Sequence, residues 1–184
     1  MIRVIDLLCS ALGIIFLSPI FFLLLVIGYF DTGSPIFSQK RMGLGQRPFN
    51  LLKFRSMKLE TQSVPTHMVD VRLITRWGLF LRKSKLDELP QLINVFIGDM
   101  SFVGPRPNLF TQSELIRERE LRKLYRFKPG ITGLAQINRI DMSDPVALAE
   151  ADLKMVTNFS SLQYLRFILL TLFGKGLGDN IKVE

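Results

Sequence analysis

The most pronounced pattern along the chain is one apolar run, residues 7–30, which contains no charged residue. As a helix those 24 residues would reach about 36 Å, enough to cross a hydrocarbon core about 30 Å thick. Ser18-Pro19 divides the run: proline removes a backbone donor and clashes with the carbonyl four residues earlier, while serine can bond back to the helix. Each arm, 7–18 and 19–30, then has 12 residues, about 18 Å, too short to cross alone. A helix broken there would enter one leaflet and return on the same side. Spanning helices also tolerate proline, so the residues themselves leave spanning and re-entry open. A cleaved secretory signal is not expected, because Phe30-Asp31-Thr32-Gly33 offers no small-residue cleavage site.

The rest of the chain carries shorter patterns. Residues 36–39 and 49–54 are apolar-rich runs around Gly43-Leu44-Gly45, which predicts a small β-hairpin. Residues 61–68, with Pro65, are polar and read as a loop. Over residues 71–81 apolar positions interleave with Arg72, Arg76 and Trp77, a pattern that fits either a helix at a headgroup interface or a half-buried core helix. Thr111-Gln112-Ser113-Glu114 has the form of a capping box and predicts a charged helix ending before Pro129-Gly130. Asp144-Pro145 predicts an N-cap with proline in the first turn, followed by the stripe Leu148, Ala151 and Met155. Ser161 can open a last helix that stops at Gly174. Residues 162–173 are too short to span a bilayer, and core packing is expected over surface attachment. The fold class expected is mostly α with a small β-hairpin (α+β). A membrane segment over 1–31 would precede one body over 32–184.

Composition changes this picture in two places. The chain has 184 residues with 24 Lys plus Arg against 16 Asp plus Glu. Its single cysteine, Cys9, excludes a disulfide scaffold, and its apolar content excludes a disordered chain. Residues 1–31 hold only Arg3, Asp6 and Asp31, so the excess positive charge belongs to the body. It falls in two blocks free of acids: Lys40, Arg41, Arg47, Lys53, Arg55 and Lys58, then Arg72, Arg76, Arg82, Lys83 and Lys85. Beside a membrane segment these argue for a cytoplasmic location facing anionic headgroups or a phosphorylated ligand. A nucleic-acid reader is the rival, without zinc spacing, an RNP pattern or a basic zipper to support it.

Candidate chemistry begins at Asp87-Glu88, which follows the second basic block and precedes Pro90. Basic neighbours and a helix N-terminus would keep a carboxylate ionised, as a nucleophile requires. Consecutive helical residues diverge by about 100°, so the two side chains should have different jobs. Arg106 sits between Pro105 and Pro107 and can clamp a phosphate from a stiff backbone. The turn-rich stretch Lys128-Pro129-Gly130-Ile131-Thr132-Gly133-Leu134-Ala135-Gln136 can bring backbone amides and Gln136 to a ligand. An acidic pair that only complements a dipole, or an ordinary tight turn, accounts for either segment taken alone.

In order, these segments resemble the monotopic phosphoglycosyl transferases, bacterial enzymes that start glycan assembly on a polyprenyl phosphate. The resemblance is carried by Ser18-Pro19, Lys53-Phe54-Arg55-Ser56-Met57, Leu81-Arg82-Lys83-Ser84-Lys85-Leu86-Asp87-Glu88-Leu89-Pro90-Gln91, Asn94, Gly98-Asp99-Met100-Ser101, Gly104-Pro105-Arg106-Pro107 and Pro129-Gly130-Ile131-Thr132-Gly133. It implies transfer of a sugar phosphate from a UDP-sugar to polyprenyl (undecaprenyl) phosphate, with release of UMP and a need for Mg2+. Asp87 would form a covalent phosphosugar in a ping-pong cycle, and Glu88 would act through the metal or as a base. Lys53, Arg82 and Arg106 would neutralise phosphates, and Asp152 is carried over as an ion-pair partner of Arg82. The resemblance further implies a re-entrant helix broken at Ser18-Pro19, with the catalytic body on the cytoplasmic face of the bacterial inner membrane.

The expected partners are the UDP-sugar, the polyprenyl phosphate and the lipid bilayer, with a homodimer left open and nucleic acid not expected. An N-acetylated hexose is the sugar expected of the family. Asn138-Arg139-Ile140-Asp141 departs from the family pattern by lacking a glycine after the asparagine, which leaves the sugar the least determined feature. The rival class is a membrane-anchored basic binding protein for anionic lipid or nucleic acid. His67 in its polar loop, the glycine-rich Gly174-Lys175-Gly176-Leu177-Gly178 and Cys9 read respectively as no metal site, a helix stop with a tail, and inert packing.

Overall fold

The computed structural model describes residues 1–59 and 71–174; the expected loop at 61–68, His67 and the tail after Gly174 lie outside them. Helix α1 (Ile2–Thr32) is followed by the antiparallel hairpin β1 (Ile36–Met42) and β2 (Pro48–Phe54), then α2 (Arg76–Ser84) and α3 (Gln91–Ile97). Next come β3 (Ser101–Val103), α4 (Ser113–Leu121), β4 (Gly130–Thr132), the short α5 (Leu134–Ile137), α6 (Pro145–Thr157) and α7 (Ser161–Leu172). The chain is mostly helical with a small hairpin, as the pattern predicts.

Helix α1 runs through Ser18-Pro19 as one element. Pro19 has no N–H for the Ile15 carbonyl, and the Ser18 hydroxyl donates to that same oxygen at 2.8 Å. Serine thus occupies the acceptor that proline abandons, which in a lipid environment would be costly to leave bare. The expected break is therefore a proline accommodated inside one helix, not a gap between two separated arms. Gly33, in the left-handed region at φ 72°, closes the helix by donating to the Tyr29 carbonyl.

Both ends of α1 lie against the same body. Near its start, Arg3 donates to the carbonyls of Val95 and Phe96 at 2.6 and 2.7 Å, meeting the open C-terminus of α3 with a cation. Asp6 is buried and accepts from the Ser101 hydroxyl at 2.9 Å, the Phe102 N–H at 3.2 Å and the Tyr164 hydroxyl. Leu92 packs on Gly13, while Phe21 and Leu24 pack with Phe54 and Leu81. At the far end the Thr75 hydroxyl donates to Asp31 at 2.7 Å. The buried positions Asp6, Ser10, Leu24 and Gly28 share one helical face. The opposite side leaves Leu8, Phe16, Phe22 and Phe30 exposed. Cys9 is also exposed, so it is not the packing residue the sequence suggested.

The hairpin matches expectation with longer strands. Helix α2 starts later than predicted, at Arg76: Thr75 caps it by accepting from the Gly78 N–H at 2.8 Å, and Val71–Leu73 forms a 3-10 turn. Trp77 packs toward the Leu24–Phe54–Leu81 cluster and stacks on the half-exposed Phe80. The capping box at Thr111 is not formed, because Gln112 occupies the N-cap and its side chain accepts from the Leu109 N–H instead. Helix α4 ends at Leu121, before Pro129-Gly130 as expected. In α6, Asp144 caps the Ala147 N–H as predicted and Leu148, Ala151 and Met155 are buried. Helix α7 buries Tyr164 on one face and exposes Leu162, Leu165 and Leu169 on the other.

The parallel pair β3–β4 is absent from the sequence reading, since three-residue strands leave no alternation to detect. It joins two of the quoted motifs. A Cβ on Gly130 would fall 2.0 Å from the Gly104 amide nitrogen, so both positions must be glycine for the backbones to meet. The Gly130 N–H donates to the Pro105 carbonyl and the Gly104 N–H to the Thr132 carbonyl, each at 2.9 Å. The Gly130 amide, which the sequence suggested for a ligand, is therefore spent with that of Gly104 on holding the Arg106 loop.

Candidate active site

The carboxylate pair sits in a corner between two helices. Lys85 adopts the left-handed region at φ 60°, ends α2 and turns the chain into the 3-10 segment Leu86–Glu88. Pro90 then precedes α3, where a missing N–H is harmless in a first turn. Asp87 and Glu88 are both buried.

Strand β2 carries Lys53 to this corner. Asn94 fixes that strand to α3 by accepting from the Leu52 N–H at 3.0 Å and donating to the Asn50 carbonyl at 2.8 Å. Lys53 Nζ lies 2.8 Å from Glu88 Oε1 and 3.7 Å from Asp87 Oδ2. Arg106 arrives from the loop braced by Gly104 and Gly130, and donates to the same Glu88 oxygen at 2.9 Å. Burial opposes ionisation of Glu88, yet the Lys53, Arg106 and Lys85 charges outweigh it and hold the carboxyl well below its usual value. The stability this group contributes is present above pH 4.5 and is lost as pH falls through the lowered folded-state value. We expect Glu88→Gln to flatten the acid limb of a plot of Tm against pH, with little difference in slope above pH 5; an unchanged acid limb would contradict this.

Two buried guanidinium groups hold the loop that bears Arg106. Arg41 NH1 donates to the Pro107 carbonyl at 3.2 Å, and burial together with the nearby Arg106 charge lowers its pKa to about 10. Arg119 NH1 donates to the Arg106 carbonyl at 2.8 Å and to Asn108 Oδ1 at 3.1 Å, while its NH2 pairs with Asp152 Oδ2 at 2.7 Å. Burial raises the Asp152 pKa against the pull of Arg119. Asp152 was expected to pair with Arg82, so this is a correction: α6 faces α4 and places the carboxylate on Arg119. The Arg82 Nε donates instead to the Ser56 hydroxyl at 2.8 Å, and its NH1 is buried without a partner. That unmatched donor suits a residue meant to meet an anion.

Glu88 and Arg106 face a cavity of about 410 Å3 that Lys85, Gln136 and Thr132 also line. Gln136 donates to the Gly104 carbonyl at 3.4 Å, and its Oε1 is buried without a partner. The structure thus gathers Lys53, Asp87, Glu88 and Arg106 directly and sets Gln136 on the shared cavity. Arg82 is braced on Ser56, and Asp152 is placed behind the Arg106 loop. Sequence reasoning missed Arg41, Arg119 and Asn108 as positioning groups. For Arg119 the available signal was its spacing of four from the buried Leu115, which puts it on the inward face of α4.

A basic, carboxylate-centred site beside a long apolar helix fits the membrane-associated transferases that the sequence resembles. The family comparison agrees: residues 1–175 match the bacterial sugar transferase family model, and the chain belongs to that family. The "Uncharacterized sugar transferase EpsL" of Bacillus subtilis (strain 168) is 38% identical over 170 residues, covering 92% of this chain and 84% of that protein. The "Galactosyl transferase CpsE" of Streptococcus agalactiae serotype III (strain NEM316) is 37% identical, over 83% of this chain and 37% of its own length. A Klebsiella pneumoniae protein named UDP-glucose:undecaprenyl-phosphate glucose-1-phosphate transferase is 38% identical, over 93% of this chain and 39% of its own length. The chain therefore spans most of the Bacillus relative but well under half of the other two.

Proposed function

We propose that this protein transfers a hexose phosphate from a UDP-hexose, N-acetylated or not, to polyprenyl phosphate and releases UMP. The observation that supports it most is the buried Asp87-Glu88 corner with Lys53 and Arg106 converging on one carboxylate oxygen. An Asp87 oxygen attacks the β-phosphorus of the donor; the bond from that phosphorus to the bridging oxygen breaks, and UMP leaves. An oxygen of the lipid phosphate then attacks the same phosphorus, giving polyprenyl-diphosphate-sugar and restoring the Asp87 carboxylate. Lys53 lies close enough to both carboxylates to balance charge as phosphate enters, and Arg106 serves the same purpose from its braced loop.

Glu88 suits charge positioning better than proton abstraction, because a carboxyl held well below its usual pKa is a weak base. Lys53 and Arg106 both pair with Oε1 of Glu88, and Glu88 together with the adjacent Asp87 would hold Mg2+. Among the described residues no cluster of three acidic, His or Cys groups could hold a metal alone. A magnesium ion held by one or two of these carboxylates would supply positive charge to neutralise phosphate.

The placement of α1 supports a re-entrant anchor, and the basic blocks beside it favour a body on the cytoplasmic face. A helix whose two ends both bond the same body cannot carry them to opposite sides while those contacts persist. In a Cys9→Ser background, cysteines placed ahead of Met1 and at Ser34 should both resist an impermeant thiol reagent in intact cells and react after lysis. Reaction of only one of them in intact cells would refute re-entry. The function itself is tested by UMP release from UDP-glucose, UDP-galactose and their N-acetylated counterparts with undecaprenyl phosphate. Acceptor-dependent UMP release is expected; binding of lipid or nucleic acid without any UMP would favour a basic binding protein instead.

A further inference from the structure

The cavity at Glu88 is too apolar to be explained by a nucleotide sugar. Its polar end holds Glu88, Arg106, Lys85 and Gln136, but the walls beyond are Leu89, Leu92, Phe102, Ile131, Ile168 and Leu172. Uridine, diphosphate and hexose would each lose hydration against such walls without gaining partners. The Thr132 and Thr171 hydroxyls, which also line it, bond one another at 2.5 Å and so need no ligand.

Two walls lead toward the apolar surface. Leu92 packs against Gly13 of α1, making the membrane helix the backing of one side. Leu172 lines the cavity yet is 76% exposed, and its neighbour Phe173 is 84% exposed. An apolar chain lying along the exposed Leu172 and Phe173 would therefore meet the apolar walls of the cavity.

We propose that this cavity receives the isoprene units nearest the phosphate of the lipid acceptor, and that α7 is the element that recognises them. The lipid phosphate group lies at the Arg106 and Lys85 end, within reach of the phosphorus to be attacked, and the hydrocarbon gains burial against Ile168 and Leu172. This rests on the transferase reading above and adds the acceptor's place within it.

The test uses the full-length protein in detergent, with undecaprenyl phosphate and the UDP-hexose that gives most UMP. Ile168→Trp fills the cavity, and Leu172→Gln makes its exposed rim polar without touching the buried core. Each should raise KM for undecaprenyl phosphate about tenfold, equivalent to losing the burial of one or two methylene groups. KM for the UDP-hexose should stay unchanged, which also shows that the variants are folded. A raised donor KM, an equal rise in both, or no change in either would overturn the proposal. Absence of UMP from the unaltered protein would instead sink the transferase reading and this inference with it, whereas turnover with an unmoved acceptor KM sinks the cavity assignment alone.

Discussion

Asp87→Asn is expected to lower UMP release on the order of 10^4-fold or more, the scale seen when a covalent nucleophile is removed. Asparagine keeps the shape of the side chain in its buried corner and loses only the charge, so folding and Tm should change little beside that loss. The carboxylate is needed because an amide oxygen cannot take the phosphosugar and be regenerated. Glu88→Gln makes a useful comparison. Its carboxylate pairs with Lys53 and Arg106 and in the proposed cycle does not receive the phosphosugar, so a smaller loss, about 10- to 100-fold, is expected there by analogy with metal-supporting groups. Equal losses at the two positions would contradict the separation of roles.

The second large effect is on stability. Arg119→Met should destabilise the fold by about 3–5 kcal/mol, because it strands Asp152 as an unpaired carboxylate in the core. Arg119 and Asp152 are 2% and 0% exposed. The pair is also incompletely satisfied: Arg119 Nε and Asp152 Oδ1 have no hydrogen-bond partner. An apolar replacement of both, Arg119→Met with Asp152→Leu, should therefore recover most of the lost stability. It should not recover activity, since the Arg106 carbonyl would still lack its Arg119 donor. Chemical denaturation of the three proteins, read beside UMP release, separates the two roles. Full activity in the stable double variant would show that Arg119 does not position Arg106.

What the sequence revealed followed from how local the signal was. Residues 7–30 stand out because no charge interrupts their apolar run, and Asp144 is recognisable because its cap lies three residues from the amide it accepts from. Asp87-Glu88 gained meaning from the basic block just before it, and Lys53 and Arg106 from the motifs around them. The convergence of those two cations on a single Glu88 oxygen depends on Asn94 fixing β2 to α3 and on Gly104 meeting Gly130, contacts between distant segments. The Asp152 partner was misjudged for the same reason, since the choice between Arg82 and Arg119 is made by how α4 packs on α6. Thr111 failed as a cap because Gln112 had a competing use, bonding back to Leu109. Asp6, which looks like a flaw in an apolar helix, becomes intelligible once Ser101 and Tyr164 are seen to meet it.

The central claim is that Asp87 carries the phosphosugar between the two substrates. The direct measurement incubates the membrane-bound protein with a UDP-hexose radiolabelled at the β-phosphorus, in Mg2+ and without acceptor. The account predicts label bound to the protein at Asp87, released onto lipid when undecaprenyl phosphate is added, and no label on Asp87→Asn. Sustained UMP release by the unaltered protein with no label ever bound to it, or label retained in Asp87→Asn, would contradict it.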